Sequence, residues 1–477
     1  MPERYTQMTN FTESGITPVQ FVFDRELIEK LDGSGPRYTS YPTADRFTDA
    51  FSEADYHHWL KQRQIGACAR GVSLYAHIPF CNTVCYYCAC NKIITKDKSR
   101  ADTYLDYLER ELALHAEYLQ GHPQLAQLHF GGGTPTFLSD AQMTRLMQAI
   151  GRHFQLVPHG EYSIEIDPRK VTADNVKHLA SLGFNRMSVG VQDFDPQVQA
   201  AVNRIQSLEE TRAVIDAARA SGFKSVSIDL IYGLPHQTLE SVQTTLETVL
   251  EIRPDRLAFY NYAHLPTLFM PQRRINEADL PSPSAKLDIL QMAVQTLTDA
   301  GYVFIGMDHF ALPDDDLAVA LRQGRLQRNF QGYSTHADHD LIAIGVSSIG
   351  KVGASYHQNE KDIERYYAAL DAGHLPVMRG MHLSADDLLR RAIIQALMCR
   401  FALSMDAMGE SFGIDFRQYF APELERLADH ADLGLLTMDE EWITITPKGR
   451  FLIRTIAMVF DRHLRERTTK ARYSRTI

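Results

Sequence analysis

Between residues 73 and 262 one rhythm recurs six times: a short β-branched or apolar run, then a longer stretch with helical spacing. The runs are SLYAHIP (73–79), QLHF (127–130), YSIEID (162–167), RMSVGVQ (186–192), SVSIDLIYG (225–233) and RLAFYNY (256–262). Between the first two lies ADTYLDYLERELALHAEYL (101–119), where Leu105, Leu108, Leu112 and Leu114 recur near a 3.6-residue period and charges fill the other face. Alternation of this kind predicts an α/β fold, a parallel sheet with helical crossovers. Periodicity alone does not separate a barrel or partial barrel from an open sheet. In either architecture the ligand site sits at the carboxyl ends of the strands.

The unusual residues fall there. Four cysteines follow the first run and GGGTPT (131–136) follows the second; Glu165 and Asp167 end the third and Gln192 the fourth. Asp229 lies in the fifth run, and Tyr262 and Ala263 end the sixth. Residues 1–70 are polar and turn-rich, which predicts an irregular N-terminal extension. Near residue 380 the rhythm changes to helices followed by GLLTMDEEWITITPKGRFLIR (434–454), a hairpin-like pair and a helix. The expected division is therefore an extension (1–70), a catalytic α/β domain (71–379) and a small, mostly helical, winged-helix-like domain (380–477). Acidic residues around 422–441 argue against a DNA-reading wing.

The net charge of −10 argues against nucleic acid or an anionic membrane as partner, since both are themselves negative. The opening MPERYTQMTNFTESG has no apolar core of a secretory signal, and no stretch approaches the roughly 18 apolar residues of a membrane span. The expected compartment is the cytoplasm, where clustered thiols serve metals or redox chemistry rather than structural disulfides. Cys68 and Cys399 stand alone, and each reads as a small buried apolar residue.

The segment HIPFCNTVCYYCAC (77–90) spaces Cys81, Cys85, Cys88 and Cys90 as C-x3-C-x2-C-x-C. Structural zinc normally joins two separated ligand pairs; here all four thiols sit on one loop. A compact loop suits an iron–sulfur cluster better. Three thiolates at the x3 and x2 gaps leave one iron corner without a protein ligand. GGGTPT lacks the third glycine of a dinucleotide fingerprint, and its bland reading is a turn.

C-x3-C-x2-C after a first strand, with Tyr87 before the third cysteine and GGGTP after the second strand, resembles the signature of the radical S-adenosylmethionine (SAM) superfamily. Further segments extend the resemblance over nearly the whole chain: PRYTSYPT (36–43), EIDPR (165–169), GFNRMSVGVQDF (183–194), SIDLIYGLP (227–235), GMDHFA (306–311), RNFQGY (328–333) and GRFLIR (449–454). Together they resemble the oxygen-independent coproporphyrinogen III oxidases (dehydrogenases) of porphyrin and haem biosynthesis. The resemblance implies a partial (β/α)6 TIM-like radical SAM barrel. It implies a 4Fe–4S cluster on Cys81, Cys85 and Cys88, with SAM on the open iron and Cys90 outside the ligand set.

It further implies one SAM contacted by Tyr75, Gly132, Glu165 and Ile349. A second would be contacted by Tyr87, Gly133, Thr134, Gln192, Arg204, Asp229 and Ala263. The implied reaction is oxidative decarboxylation of two propionates of coproporphyrinogen III to vinyl groups, giving protoporphyrinogen IX. An electron donor and an electron acceptor would be partners, and a monomer is the default assembly. Glu165 and Asp229 suit an ammonium or ribose hydroxyls, and Arg204 a carboxylate; strand-end carboxylates also commonly cap helices. Arg37 and Arg328 are candidate anchors for a tetracarboxylate, and Tyr38 or His309 could donate to one of its carboxylates; His309 also has the ordinary reading of a structural histidine, and the basic tail HLRERTTKARYSR (463–475) that of a solvated charge run. Two alternatives of another class are a haem chaperone and a haem-opening methyltransferase on the same fold.

Overall fold

The structure is a computed structural model that describes residues 22–31, 33–63, 71–119, 122–335, 339–465 and 473, together with a short antiparallel pair, Phe11–Thr12 and Gly15–Ile16. Cys68 and most of the basic tail lie outside the described residues. Grouped by contact, the chain forms two compact units. The larger comprises Arg46–Ser282 and Asp338–Leu383, and the smaller Met1–Asp45, Pro283–Ala337 and Ser384–Ile477. The boundaries expected from sequence follow chain order, whereas this grouping follows space and takes residues 283–337 together with the C-terminal stretch.

In the larger unit six strands run parallel: β1 Val72–Ile78, β2 Gln124–Gly132, β3 Gln155–Ile166, β4 Arg186–Gln192, β5 Ser225–Tyr232 and β6 Arg256–Asn261. Each lies beside its predecessor in sequence. A doubly wound sheet reverses its strand order at a switch point, and this one does not, so the order is that of a (β/α) barrel. A seventh parallel strand, β7 Asp340–Ile344, pairs with the free side of β1. Antiparallel strands Ile349–Val352, Ser355–Asn359 and Val377–His382 continue from it. That extension, absent from the six-run reading, is carried by short runs with a single helix, Ile363–Asp371, between the last two strands.

The crossover helices begin where local chemistry dictates. After β2, β3, β4 and β5, respectively, come Asp140–His153, Ala173–Ser181, Leu208–Ala220 and Leu239–Ile252. Each opens with a reciprocal capping box, built on Ser139 and Gln142, Thr172 and Asn175, Ser207 and Glu210, and Thr238 and Ser241. Two orphaned backbone donors are satisfied at each start. In β1, Val72, Leu74, Ala76 and Ile78 form one buried apolar face, and Ser73 and His77 on the opposite face are buried too.

The N-terminal stretch is less irregular than its composition suggests. It carries the helices Arg25–Leu31 and Glu53–Gln62. The second starts at a Ser52–Asp55 capping box and buries Tyr56 and Leu60, one helical turn apart.

The smaller unit has its own apolar cluster, joining Leu27, Tyr41, Ile305 and Leu317 to Ile393, Phe420 and Phe460. Its C-terminal part packs Ala385–Arg400, Met405–Phe412 and Ala421–Asp432 with a three-stranded antiparallel sheet. Trp442–Ile445 is the central strand, flanked by Ala402–Ser404 and Leu436–Met438. This is the helix-then-wing arrangement expected of the region. No helix among the described residues is long and apolar enough to cross a membrane.

Candidate active site

A cavity of about 360 Å³ opens at the carboxyl ends of the parallel strands. That size is in the range of small-ligand pockets. Cys81, Cys85, Cys88 and Cys90 line it. The loop that carries them has little regular structure, only the short Phe80–Cys81 strand, so its shape is set by tethers. Asn203 Nδ2 donates to the Val84 carbonyl at 2.7 Å, Tyr86 N to the Val202 carbonyl at 2.9 Å, and Gln272 Nε2 to the Tyr87 carbonyl at 2.9 Å. Beyond the cysteines, Lys92 Nζ reaches the Cys88 and Cys90 carbonyls, and Asn91 Nδ2 donates to the Lys361 carbonyl.

The sulfurs face donors and cations. Thr134 Oγ1 donates to Cys81 Sγ at 3.4 Å. Arg204 Nη1 lies 3.6 Å from Cys85 Sγ, and Arg169 Nη2 lies 3.9 Å from it. Both guanidiniums are held by Asp167: Arg169 is forked to its two oxygens at 2.9 and 2.6 Å, and Arg204 Nη1 is at 3.4 Å. Burial alone pushes the Asp167 carboxyl up, and the two arginines overcome it and hold it below its ordinary value. Burial pushes the Cys81 thiol up to about 11. The Cys88 thiol moves down to about 6, because Cys90 hydrogen-bonds to it and Lys92 stands nearby, against the opposing effect of burial.

At the end of β2, Gly132 takes φ +114°, and a Cβ there would lie 2.6 Å from the His77 ring. Only glycine fits. A Cβ on Gly133 would strike the Pro79 carbonyl at 2.6 Å. The Gly132 amide donates to Glu165 Oε2 at 3.2 Å, and the Gly133 amide to the Ile78 carbonyl at 2.8 Å. These glycines therefore serve first to let the strand end pack against the loop after β1.

Glu165, at the end of β3, also meets His129 Nε2 at 3.3 Å. On β5, Asp229 accepts from Ser188 Oγ at 2.8 Å. Burial pushes its carboxyl up to about 7, with Ser188 acting in the other direction. Gln192 has the left-handed φ of +71° at an irregularity in the β4–β5 register, and it lines the cavity. This strained backbone sits at the site, where such strain is commonly found.

Of the sequence-derived cofactor contacts, Tyr87, Gly132, Gly133, Thr134, Glu165, Gln192, Arg204 and Asp229 line this one cavity with the three cysteines. Three stand outside its lining. Tyr75 bonds His77 Nδ1 through its hydroxyl at 3.0 Å and stacks on His129. Ala263 offers its carbonyl to Gln272 Nε2, the group that also holds Tyr87. Ile349 is half-buried at the start of its strand. Arg169, Lys170, Lys92 and Ser188 line the site although no role was read for them. For Arg169, Lys170 and Lys92 the sequence signal is charge alone, which is common on any surface, and the uncharged Ser188 inside β4 carries none.

In the smaller unit, Arg37 ion-pairs with Asp308, and Tyr38 donates to Asp461 at 3.0 Å. The tail begins tied down, with His463 at 2.7 Å from Asp387 and Arg465 at 2.6 Å from Glu423. Cys399 is buried, as its lone position suggested.

The donor set fits an anionic cluster. Four thiols, three of them at the C-x3-C-x2-C spacing, share the cavity with Arg204, whose buried Nε has no hydrogen-bond partner, and with Arg169 and Lys92. Among the described residues no three His, Cys, Asp or Glu side chains converge on a single-ion position.

A parallel barrel with three thiols of C-x3-C-x2-C spacing at its carboxyl end defines a class, the radical SAM enzymes. The family model "Radical SAM superfamily" matches residues 75–249, and "HemN C-terminal domain" matches 383–452. The chain is 51% identical to the oxygen-independent coproporphyrinogen III oxidase of Pseudomonas aeruginosa, over 95% of this chain and 99% of that one. It is 49% identical to the Escherichia coli K12 enzyme of the same name, over 96% and 99%. A solved structure of Escherichia coli coproporphyrinogen III oxidase, described as a radical SAM enzyme, superposes with TM-score 0.89 at 48% identity, covering 93% of this chain and 100% of that one. The chain belongs to the family of oxygen-independent coproporphyrinogen III oxidases. Its cofactors are those of the superfamily, a 4Fe–4S cluster and SAM.

Proposed function

We infer that this chain converts coproporphyrinogen III to protoporphyrinogen IX without oxygen, turning two propionates into vinyl groups with loss of CO2, in haem biosynthesis. The observation that carries this is the three-thiol cavity, in a chain about half identical, end to end, to enzymes of that name. With cluster and SAM bound, they supply one-electron cleavage of SAM and removal of a hydrogen atom from an unactivated C–H bond, which acid–base side chains cannot do.

The chain's own residues bind and orient. Cys81, Cys85 and Cys88 are the cluster ligands, and Cys90 is a hydrogen-bonding neighbour of Cys88. Arg204 and Arg169 balance thiolate charge at Cys85, and the Thr134 hydroxyl donates a hydrogen bond to Cys81. Glu165, held by His129 and the Gly132 amide, and Asp229, held by Ser188, present acceptor oxygens suited to an ammonium or ribose hydroxyls. Tyr75 and Ile349 belong with Gly132 and Glu165 around a first SAM. Tyr87, Gly133, Thr134, Gln192, Arg204, Asp229 and Ala263 belong around a second. Tyr75 acts through His77, and Ala263 through the Gln272 bridge that joins it to Tyr87.

The reading includes a cytoplasmic monomer served by a separate electron donor and acceptor; the acidic net charge supports a chain that avoids nucleic acid and anionic membranes. The test is anaerobic: cluster reconstitution, reductant, SAM and coproporphyrinogen III, with vinyl products and CO2 as readouts. Wild type forms product and Cys85→Ser forms none. Full turnover by Cys85→Ser would remove the cluster from the mechanism.

A further inference from the structure

The smaller unit holds a buried cation that meets no carboxylate among the described residues. Arg328 sits in the hairpin Gln327–Asn329 with Gly332–Ser334, paired in register with Tyr333, and is only 5% exposed. Its backbone is locked by Gln395, which accepts from Arg328 N at 3.1 Å and donates to Arg328 O at 2.6 Å. Its guanidinium lies over the Tyr333 ring, 4.8 Å from the centroid, and its Nε donates to the Arg37 carbonyl at 3.2 Å. Among the described residues no carboxylate pairs with it, and Nη1 is buried without a hydrogen-bond partner. On the same hairpin, Gln331 Nε2 is also buried and unpartnered.

Buried charges are nearly always paired, because an unpaired one forfeits its hydration. Arginine has no neutral form to retreat to. The architecture divides the side chain's labour: the backbone and Nε fix its position, the Tyr333 side chain supports it by ring contact and hydrogen bond, and Nη1 is left as a charged donor without a partner. A carboxylate oxygen is the complement of such a charged donor. Arg37, whose carbonyl Arg328 holds, already has Asp308 on its own guanidinium, so Arg328 is the one without a carboxylate.

We propose that Arg328 is a docking point for one carboxylate of the substrate, with Gln331 as a second donor on the same hairpin. The proposal rests on the function inferred above, which makes the substrate a tetracarboxylate. It concerns binding through a group that does not react.

The test uses the full chain without cluster or SAM, and coproporphyrin III, the stable oxidised macrocycle, as fluorescent probe. Its tetramethyl ester is the comparison ligand. Arg328→Met weakens binding of the acid by about 10- to 100-fold, the range for a lost charged hydrogen bond, and leaves ester binding as in wild type. Arg328→Lys, which keeps the charge but not the guanidinium, falls between. A merely structural role would weaken acid and ester alike, and that result overturns the proposal, as does acid binding unchanged in Arg328→Met. Should Arg328→Met fail to fold, Arg328→Lys decides, since acid affinity equal to wild type overturns the site. Wild type that binds the acid through Arg328 yet yields no vinyl product supports the site and defeats the function.

Discussion

Two buried polar groups in the larger unit are built on opposite plans. Around Glu111, on the helix Ser99–Tyr118, every donor finds its acceptor within the protein. The carboxylate accepts from Tyr366 Oη at 2.6 Å, Asn359 Nδ2 at 2.6 Å and Gly345 N at 2.7 Å. Tyr104 Oη accepts from Val346 N at 2.9 Å and donates to the His77 carbonyl at 2.8 Å. Around the cysteines the polar groups face a cavity: four thiols, three carboxylates, and a guanidinium with one nitrogen lacking a partner. A closed network fixes a loop, whereas an open one costs folding energy that a ligand recovers. The contrast separates structural from functional polarity without reference to residue type, since both regions contain a carboxylate whose pKa burial raises to about 7.

The largest expected effect comes from the open region. Arg204→Met removes the cation beside Cys85, and iron content per chain after reconstitution and turnover both fall, turnover by more than about tenfold. Thermal stability moves little by comparison. Wild-type iron content in that variant would mean that the guanidinium is as structural as Glu111.

Next is the closed region's response to pH. Burial raises the Glu111 carboxyl from 4.5 to about 7, with its three donors acting in the opposite direction. A carboxyl raised on folding stabilises the native state fully below its unfolded value and loses that contribution as pH climbs to its folded value. At about 1.4 kcal/mol per unit, the difference is on the order of 3 kcal/mol between pH 4.5 and 7. Denaturant midpoints across this window should fall in wild type relative to Glu111→Gln. Parallel profiles for the two proteins would contradict the assignment.

Smallest is Tyr366→Phe, which deletes one of the three donors and costs about 1–2 kcal/mol of stability, with iron content and turnover unchanged.

The parts of the fold legible in sequence were those fixed by near neighbours. RMSVGVQ becomes β4 at its quoted ends because alternation and flanking turns suffice. The capping boxes lie within four residues of one another. The cysteine loop was legible because all its thiols are local. The Glu111 network was not, because Glu111 meets residues 345, 359 and 366, and no local pattern marks such a distant partner. Tyr75 shows the same limit: its position on β1 was evident, while its engagement with His77 follows from how the strand ends pack. Arg169 passed unnoticed because its value lies in pointing at Cys85, 84 positions away.

The cysteine loop is moored at Val84, Tyr86, Tyr87 and Asn91 to residues 203, 202, 272 and 361. Its contour is thus cast by the surrounding protein and not by the inorganic core it would enclose. Oxidative stripping would empty such a mould without melting it, and reloading with iron and sulfide would proceed at the pace of assembly chemistry, with no refolding in between.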